Sequence, residues 1–265
     1  VDASVYRLIL LAGGEPSLNP DLIRAGIVAS HKAGLLSAIV TAPIWARSEA
    51  AAERFLDKVN GLDLVILSYD TYHLDFLSLD EYRNATIAAV KRGIGVIFQI
   101  CYTRDSERDS LIDSLGGLTI LARQINPTRT VLVGNAQNLE LSAESVYVQE
   151  TTDLAKIPRA CVLGNSFIDD NLTLHGCCWA ALAQGSPFSI ATGGNPAILR
   201  KAFEELEGTR QFQVMKRNGL IGSLSTQGRQ SIVARFRGRR FSCECDLCLA
   251  LMSEGEPTLW NEWID

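Results

Sequence analysis

The sequence predicts an α/β fold built on parallel strands, and three observations carry that prediction. Apolar runs of strand length recur at Tyr6 to Ala12, Leu36 to Thr41, Leu62 to Ser68, Ile94 to Cys101 and Arg129 to Val133. Between them lie helical patterns, at Ser48 to Val59, Leu79 to Arg92 and Ser106 to Ile125. The first strand also stops at a glycine pair directly before a well-punctuated helix. Strands that alternate with helices pair in parallel through helical crossovers, so the first half of the chain reads as an open sheet or a barrel.

The opening unit organises the rest. Leu8 to Ala12 is apolar and ends at Gly13-Gly14, where side chains would block close approach of a ligand to the backbone. Asn19 is a good N-cap, Pro20 fits the first helical position, Asp21 suits the positive helix end and Gly34 lies where a C-terminal cap belongs. Groups at the C-terminal ends of strands face the ligand crevice of α/β folds, which displays Glu15 at a site. The bland alternative is a tight turn with a solvated acid.

The later strand ends follow the same logic. The second closes with Val40-Thr41-Ala42-Pro43 and the third with Leu67-Ser68-Tyr69-Asp70-Thr71-Tyr72-His73. Ser68 and Asp70, two apart on a strand, share a face. Asp70 either faces a ligand or caps the next loop. His73 is either a proton relay near neutral pH or a plain loop histidine. In Gln99-Ile100-Cys101-Tyr102-Thr103, Cys101 reads as a small core hydrophobe. Gln99 and Tyr102 point to opposite faces, so at most one lines a site. Gly134-Asn135-Ala136-Gln137 follows the fifth run as a candidate last wall.

The 265 residues suffice for one large domain or a domain plus an appendage, and 47% hydrophobic with 21% charged content is that of a folded globular chain. A net charge of −5 gives no electrostatic footprint for nucleic acid or membrane. The one basic cluster, Arg235, Arg237, Arg239 and Arg240, is either a solvated strand face or an anion site. No apolar run approaches the ~20 residues that cross a bilayer, and no signal peptide is visible, so the expected compartment is the cytoplasm. The chain starts at Val1, already in a strand, which predicts that the natural protein begins earlier. Near Lys156-Ile157-Pro158 the strand–helix rhythm stops, dividing 1–156 from 157–265. In the latter, Ala197 to Leu206 reads as a helix capped by Asn195 with Pro196 first.

Seven cysteines in a reducing compartment argue for metal or catalytic use over disulfides. Cys243-Glu-Cys245-Asp-Leu-Cys248 places three thiols within six residues, a spacing that lets a short loop turn its sulfurs onto one soft metal. Cys177 or Cys178 is a candidate fourth ligand, and Cys161 is either a further ligand or a buried, inert thiol. Zinc and an iron-sulfur cluster both need about four such groups, and spacing alone leaves the two open.

Gly13-Gly14-Glu15-Pro16, followed by Leu18, Asn19, Pro20, Asp21 and Leu22, resembles the GGEP motif of radical S-adenosylmethionine enzymes. The resemblance implies a partial (β/α)6 TIM-like barrel, here with its first strand missing, over 1–156. It implies that Gly13, Gly14, Glu15 and Pro16 bind the amino group of S-adenosylmethionine, a charge-assisted contact for Glu15. Ser68 and Asp70 would match the family's fourth-strand S-x-D element near the cofactor's ribose and carboxylate. The cysteine group resembles the SPASM and twitch extensions, implying a small cysteine-rich α+β domain over 157–265. There Cys177, Cys178, Cys243, Cys245 and Cys248 are the pool of ligands for an auxiliary iron-sulfur cluster.

The family's C-x-x-x-C-x-x-C loop, which holds the 4Fe-4S cluster that cleaves the cofactor, is absent from these residues and would lie upstream. The function implied is cleavage of S-adenosylmethionine to a 5′-deoxyadenosyl radical that abstracts hydrogen from a peptide or small-molecule substrate. The reductant would be a protein such as flavodoxin or ferredoxin. The alternative is a non-catalytic relative, a binding module with a structural zinc or cluster site.

Overall fold

Strand and helix alternate through the first half of the chain. The computed structural model describes residues 6–130, 149–157, 166–177, 186, 188–241, 243–254 and 264. Two units, Val1–Thr130 and Val131–Asp265, each hold together through their own contacts.

In the first unit, β1 (Leu8–Leu11) leads through one 3-10 turn at Pro16–Leu18 into α1 (Pro20–Lys32). Asn19 Oδ1 accepts the Leu22 amide at 3.2 Å, Pro20 opens the helix, and Gly34 follows its end at φ +71°, the expected punctuation. Then come β2 (Leu36–Thr41), α2 (Glu49–Lys58, capped by Ser48), β3 (Leu64–Tyr69), the single turn α3 (Thr71–Leu74), α4 (Leu79–Lys91) and β4 (Gly95–Tyr102). The long helix expected over Ser106 to Ile125 is two, α5 (Asp105–Leu115) and α6 (Leu118–Leu121), broken at Gly116, where φ is +51°.

The last strand, β5, is Gln124–Arg129 and not the expected Arg129 to Val133, of which residues 131–133 lie outside the described residues. Its polar sequence and Pro127 disguise it; an edge strand tolerates proline because one side of its ladder is unpaired.

The five strands pair in parallel in the order β1-β2-β3-β4-β5. Val65, Leu67 and Tyr69 of β3 and Val96, Phe98 and Ile100 of β4 are buried in one cluster with helix residues such as Ile23, Ile27, Leu56, Ala85, Ala89 and Leu115. The alternate residues, Leu64, Ile66 and Ser68 in register with Gly95, Ile97 and Gln99, occupy the other face. Leu10 and Leu36 on that face are 45% and 54% exposed. Amides line its β5 side: Asn126 Nδ2 donates to Gln99 Oε1 at 2.6 Å, and Gln99 Nε2 donates to Thr128 Oγ1 at 2.7 Å.

The second unit contains the short strands β6 (Gln149–Glu150), β7 (Phe167–Ile168), β8 (Thr173–His175) and β9 (Ser189–Ala191). Three of these form an antiparallel sheet, β7-β8-β9. Helices follow: α7 (Pro196–Gly208), with Asn195 as N-cap and Pro196 first as expected, α8 (Arg210–Ser223) and α9 (Thr226–Arg235). β10 (Arg240–Phe241), paired with β6, and α10 (Glu244–Glu254) close it. Leu174, Phe212, Met215, Ile232, Phe241 and Leu247 are central to its core. The basic cluster is split: Arg235 ends α9, and the Arg239 guanidinium sits over the rings of Phe236 and Phe241 at 5.5 and 5.2 Å. Among the described residues, no helix is long and apolar enough to cross a membrane.

Candidate functional site

The site is assembled where β1 to β4 end. Gly13 and Gly14 take φ of +97° and +50°, and a Cβ on either would meet open space, so the turn presents bare backbone. Beyond it Glu15 reaches across to the end of β2. Its Oε1 accepts the Ser17 amide at 2.9 Å and the Thr41 hydroxyl at 2.5 Å, and its Oε2 accepts the Ala42 amide at 2.9 Å. Thr41 is itself fixed by Trp45, whose Nε1 donates to the Thr41 oxygen at 3.2 Å while its ring stacks on Phe55 at 4.4 Å. A carboxylate has about four acceptor sites, so these three donors orient Glu15 and leave Oε2 able to take one more.

At the end of β3, Asp70 is 5% exposed and does what its capping reading expects: Oδ1 accepts the His73 amide at 2.9 Å. The same carboxylate holds the His73 ring, with Nδ1 2.9 Å from both oxygens. That hydrogen bond raises the imidazole pKa above its ordinary value against the opposing effect of burial, with the charges of Asp70 and Glu15 adding to the rise. Asp70 is the electrostatic centre of this edge. Burial pushes the Cys101 thiol up to about 11 and raises the Tyr72 and Tyr82 hydroxyls, and the Asp70 charge contributes to each. Tyr82 donates to the Ser68 carbonyl at 2.8 Å, fixing the strand end from the helix side.

The structure therefore brings Gly13, Gly14, Glu15, Pro16, Ser68 and Asp70 to the C-terminal edge of one sheet. Cys101 corrects an expectation: it is half-buried and lies on the same face as Gln99, not in the helix-packed core, which Tyr102 joins instead. Residues 134–137, the candidate last wall, lie outside the described residues. Two contributors were missed. The Thr41 hydroxyl and Ala42 amide, at the end of β2, aim Glu15 together with the Ser17 amide. Glu107, on α5, accepts from the Thr103 amide and hydroxyl at 2.7 Å and from the Thr71 hydroxyl at 3.0 Å, tying the loops after β3 and β4 together. Burial opposes its charge, yet these donors hold its pKa below the usual carboxylate range. Its place near a helix start, just after Thr103-Arg104, was the available signal.

In the second unit the expected cysteine loop is instead the first turns of α10. Cys243 precedes the helix, and Cys245 and Cys248 are three apart on it, hence on one face. Cys243 and Cys245 are 4% and 6% exposed. The Cys245 thiol donates to the Cys243 sulfur, and against burial this bond and the amides of Asp246 and Cys245 bring the Cys243 thiol down to about 7. Cys177 is buried just past β8, while Cys178 and Cys161 lie outside the described residues. Among the described residues, no three histidine, cysteine or acidic side chains form a group able to hold a metal ion. No known family model matches the chain, and no curated protein matches it significantly.

Proposed function

We propose that the first unit is the partial barrel of a radical S-adenosylmethionine enzyme and that Glu15 receives the cofactor's ammonium group. The observation that carries this reading is the Glu15 carboxylate, aimed by Ser17, Thr41 and Ala42 and left with acceptor capacity beside a glycine turn that nothing among the described residues covers. Donor and acceptor fit: an ammonium completes the carboxylate's bonds in a charge-assisted contact. The strand order supports a barrel over a doubly wound sheet, because a doubly wound order reverses at a switch point and the order of the described strands does not. When bound and reduced by one electron, S-adenosylmethionine supplies hydrogen abstraction from unactivated carbon, chemistry that belongs to the cofactor. The protein's part is to seat the amino acid moiety at Glu15, let it approach the backbone at Gly13 and Gly14, and bound the substrate with Ser68, Gln99 and the Asp70–His73 pair. The substrate class is a peptide or a small molecule, and the electron would come from a flavodoxin or ferredoxin in the cytoplasm.

The resemblance assigns the reducing cluster to a loop ahead of β1, so the test uses the full-length protein. Isolated without oxygen and reduced with dithionite, it is expected to release 5′-deoxyadenosine from S-adenosylmethionine. A colourless, zinc-loaded protein that releases none is the binding module instead.

The resemblance gives Cys243, Cys245 and Cys248, with Cys177 or Cys178, to an auxiliary iron-sulfur cluster, and we keep that as a proposal. The support is the C-x-C-x-x-C spacing and the burial of Cys243 and Cys245 at the start of α10; among the described residues these thiols do not yet form a group able to hold a metal ion, so a bound cluster would have to draw them together. Cys245→Ala is expected to lower bound iron, read by metal analysis, while circular dichroism stays that of the wild type. Unchanged iron refutes the assignment.

A further inference from the structure

Between Glu207 and Glu244 the chain carries eight lysines and arginines and no acid, so all 30 acidic residues lie outside this stretch. The acids at its two ends are engaged: Glu207 pairs with Lys216 at 2.8 Å, and Glu244, 1% exposed, accepts the Ile221 amide at 2.7 Å. On neighbouring elements, Glu150 of β6 is in register with Arg240, and Asp246 of α10 acts on Cys243. The 3-10 turn Thr151–Lys156, which packs against α9, carries one acid and one base.

Arg229 and Arg237 keep their charge unmatched. Arg229 is half-buried and held by main-chain carbonyls: its Nε donates to Leu224 at 3.3 Å and its Nη2 to Ile221 at 2.5 Å. These bonds fix the guanidinium without neutralising it, and they leave the Nη1 donors for a ligand. Arg237 is exposed, and among the described residues no hydrogen bond or ion pair engages it. Both arginines line an open cleft of about 300 Å³ beside α9, with Gln230, Val233 and Ala234 between them.

We propose that this cleft binds an acidic peptide segment in extended conformation, with two carboxylates four residues apart and an apolar side chain midway between them. Arg229 and Arg237 are eight residues apart, about 12 Å along the helix axis at 1.5 Å per residue. In an extended chain, residues i and i+4 are about 13 Å apart and point to the same side, as does i+2. Each carboxylate therefore meets a guanidinium in a charge-assisted pair, while the side chain at i+2 lies on Val233 and Ala234. That apolar floor between two cations favours a peptide over a nucleic acid, whose backbone carries a charge at every step. The proposal stands on the second unit alone and does not depend on the reading of the first.

The test is fluorescence anisotropy of a fluorescein-labelled peptide with the core Glu-Gly-Leu-Gly-Glu, titrated with the full-length protein at low salt. Saturable binding is expected, and the cores Gln-Gly-Leu-Gly-Gln, without charge, and Glu-Glu-Leu-Gly-Gly, with the same charge at the wrong spacing, should bind at least about fivefold more weakly. Arg229→Gln keeps an NH2 group for the Ile221 carbonyl and removes the charge, and should weaken binding about tenfold. Arg237→Glu, at an exposed position whose change leaves the fold intact, should weaken it at least about fivefold. Arg210→Glu, in the same basic stretch at the start of α8 but outside the cleft, should stay within about twofold of the wild type. No saturable binding, equal affinity for the two spacings, or equal losses for Arg210→Glu and Arg237→Glu overturns the proposal. Polyuridine that displaces the peptide at a lower concentration than unlabelled peptide does also overturns it and assigns the patch to nucleic acid. Peptide binding needs no cofactor, so its outcome and that of the 5′-deoxyadenosine assay are read separately.

Discussion

Glu15→Gln in the full-length protein is expected to weaken S-adenosylmethionine binding about 10- to 100-fold, since a hydrogen bond to a charged group contributes about 1.5–3 kcal/mol. Glutamine keeps one acceptor oxygen for the Ser17 amide and the Thr41 hydroxyl. It sets an NH2 group against the Ala42 amide, and it takes away the charge that an ammonium needs. Thr41→Val is the control. It removes one aiming bond and leaves the carboxylate ionised, so its effect should stay within about 1 kcal/mol, roughly fivefold. Equilibrium dialysis with labelled cofactor measures both. Equal affinities for Glu15→Gln and the wild type would remove Glu15 from the binding site, and with it the observation on which the functional reading stands. A larger loss for Thr41→Val than for Glu15→Gln would mean that the bridge between β1 and β2 matters as architecture and not as a charge.

What was legible in the sequence was local. The first turn and α1 follow from Asn19, Pro20 and Gly34, residues whose backbone preferences act within a few positions. β2, β3 and β4 stand out because strands of a parallel sheet are rich in apolar residues. The chain Gln-Ile-Asn-Pro-Thr-Arg has no such signal, and β5 exists because β4 offers it hydrogen bonds and an edge position excuses Pro127. The site divides in the same way. Asp70, three residues before His73, was readable as a cap. Two of the three donors that aim Glu15 lie 26 and 27 residues away at the end of β2, a pairing set by the register of the sheet.

The cysteine group forms the start of a helix and not the expected loop for a further reason. Its spacing suits a metal loop, yet Leu247, Leu249, Ala250, Leu251 and Met252 are all buried in the core of the second unit. Burial of that run favours a helix, and the helix begins among the cysteines.

Phe98→Ala is expected to cost the first unit about 3–5 kcal/mol, the range for deleting a buried aromatic side chain. Phe98 is 0% exposed on the helix-packed face of β4. Its ring meets Tyr69 edge-on at 6.1 Å and lies 6.5 Å from Tyr82, and those two tyrosines pack edge-on at 4.8 Å. The trio is pinned by polar ends: the Tyr69 hydroxyl is 2.6 Å from Ser114 Oγ, and the Tyr82 hydroxyl donates to the Ser68 carbonyl. Removing the ring therefore opens a cavity directly beneath the strand end from which Asp70 and His73 emerge. Its neighbour Ile97 faces the other way, in register with Ile66, and is half-buried. Ile97→Ala should cost less, about 1–2 kcal/mol, because less apolar surface leaves a packed environment. Hydrogen exchange of the β3 and β4 amides measures both within this unit. A gap between the two costs means that one sheet face carries the stability and leaves the other available for binding. Equal costs would mean that both faces are packed core, leaving Ser68 and Gln99 no ligand to face.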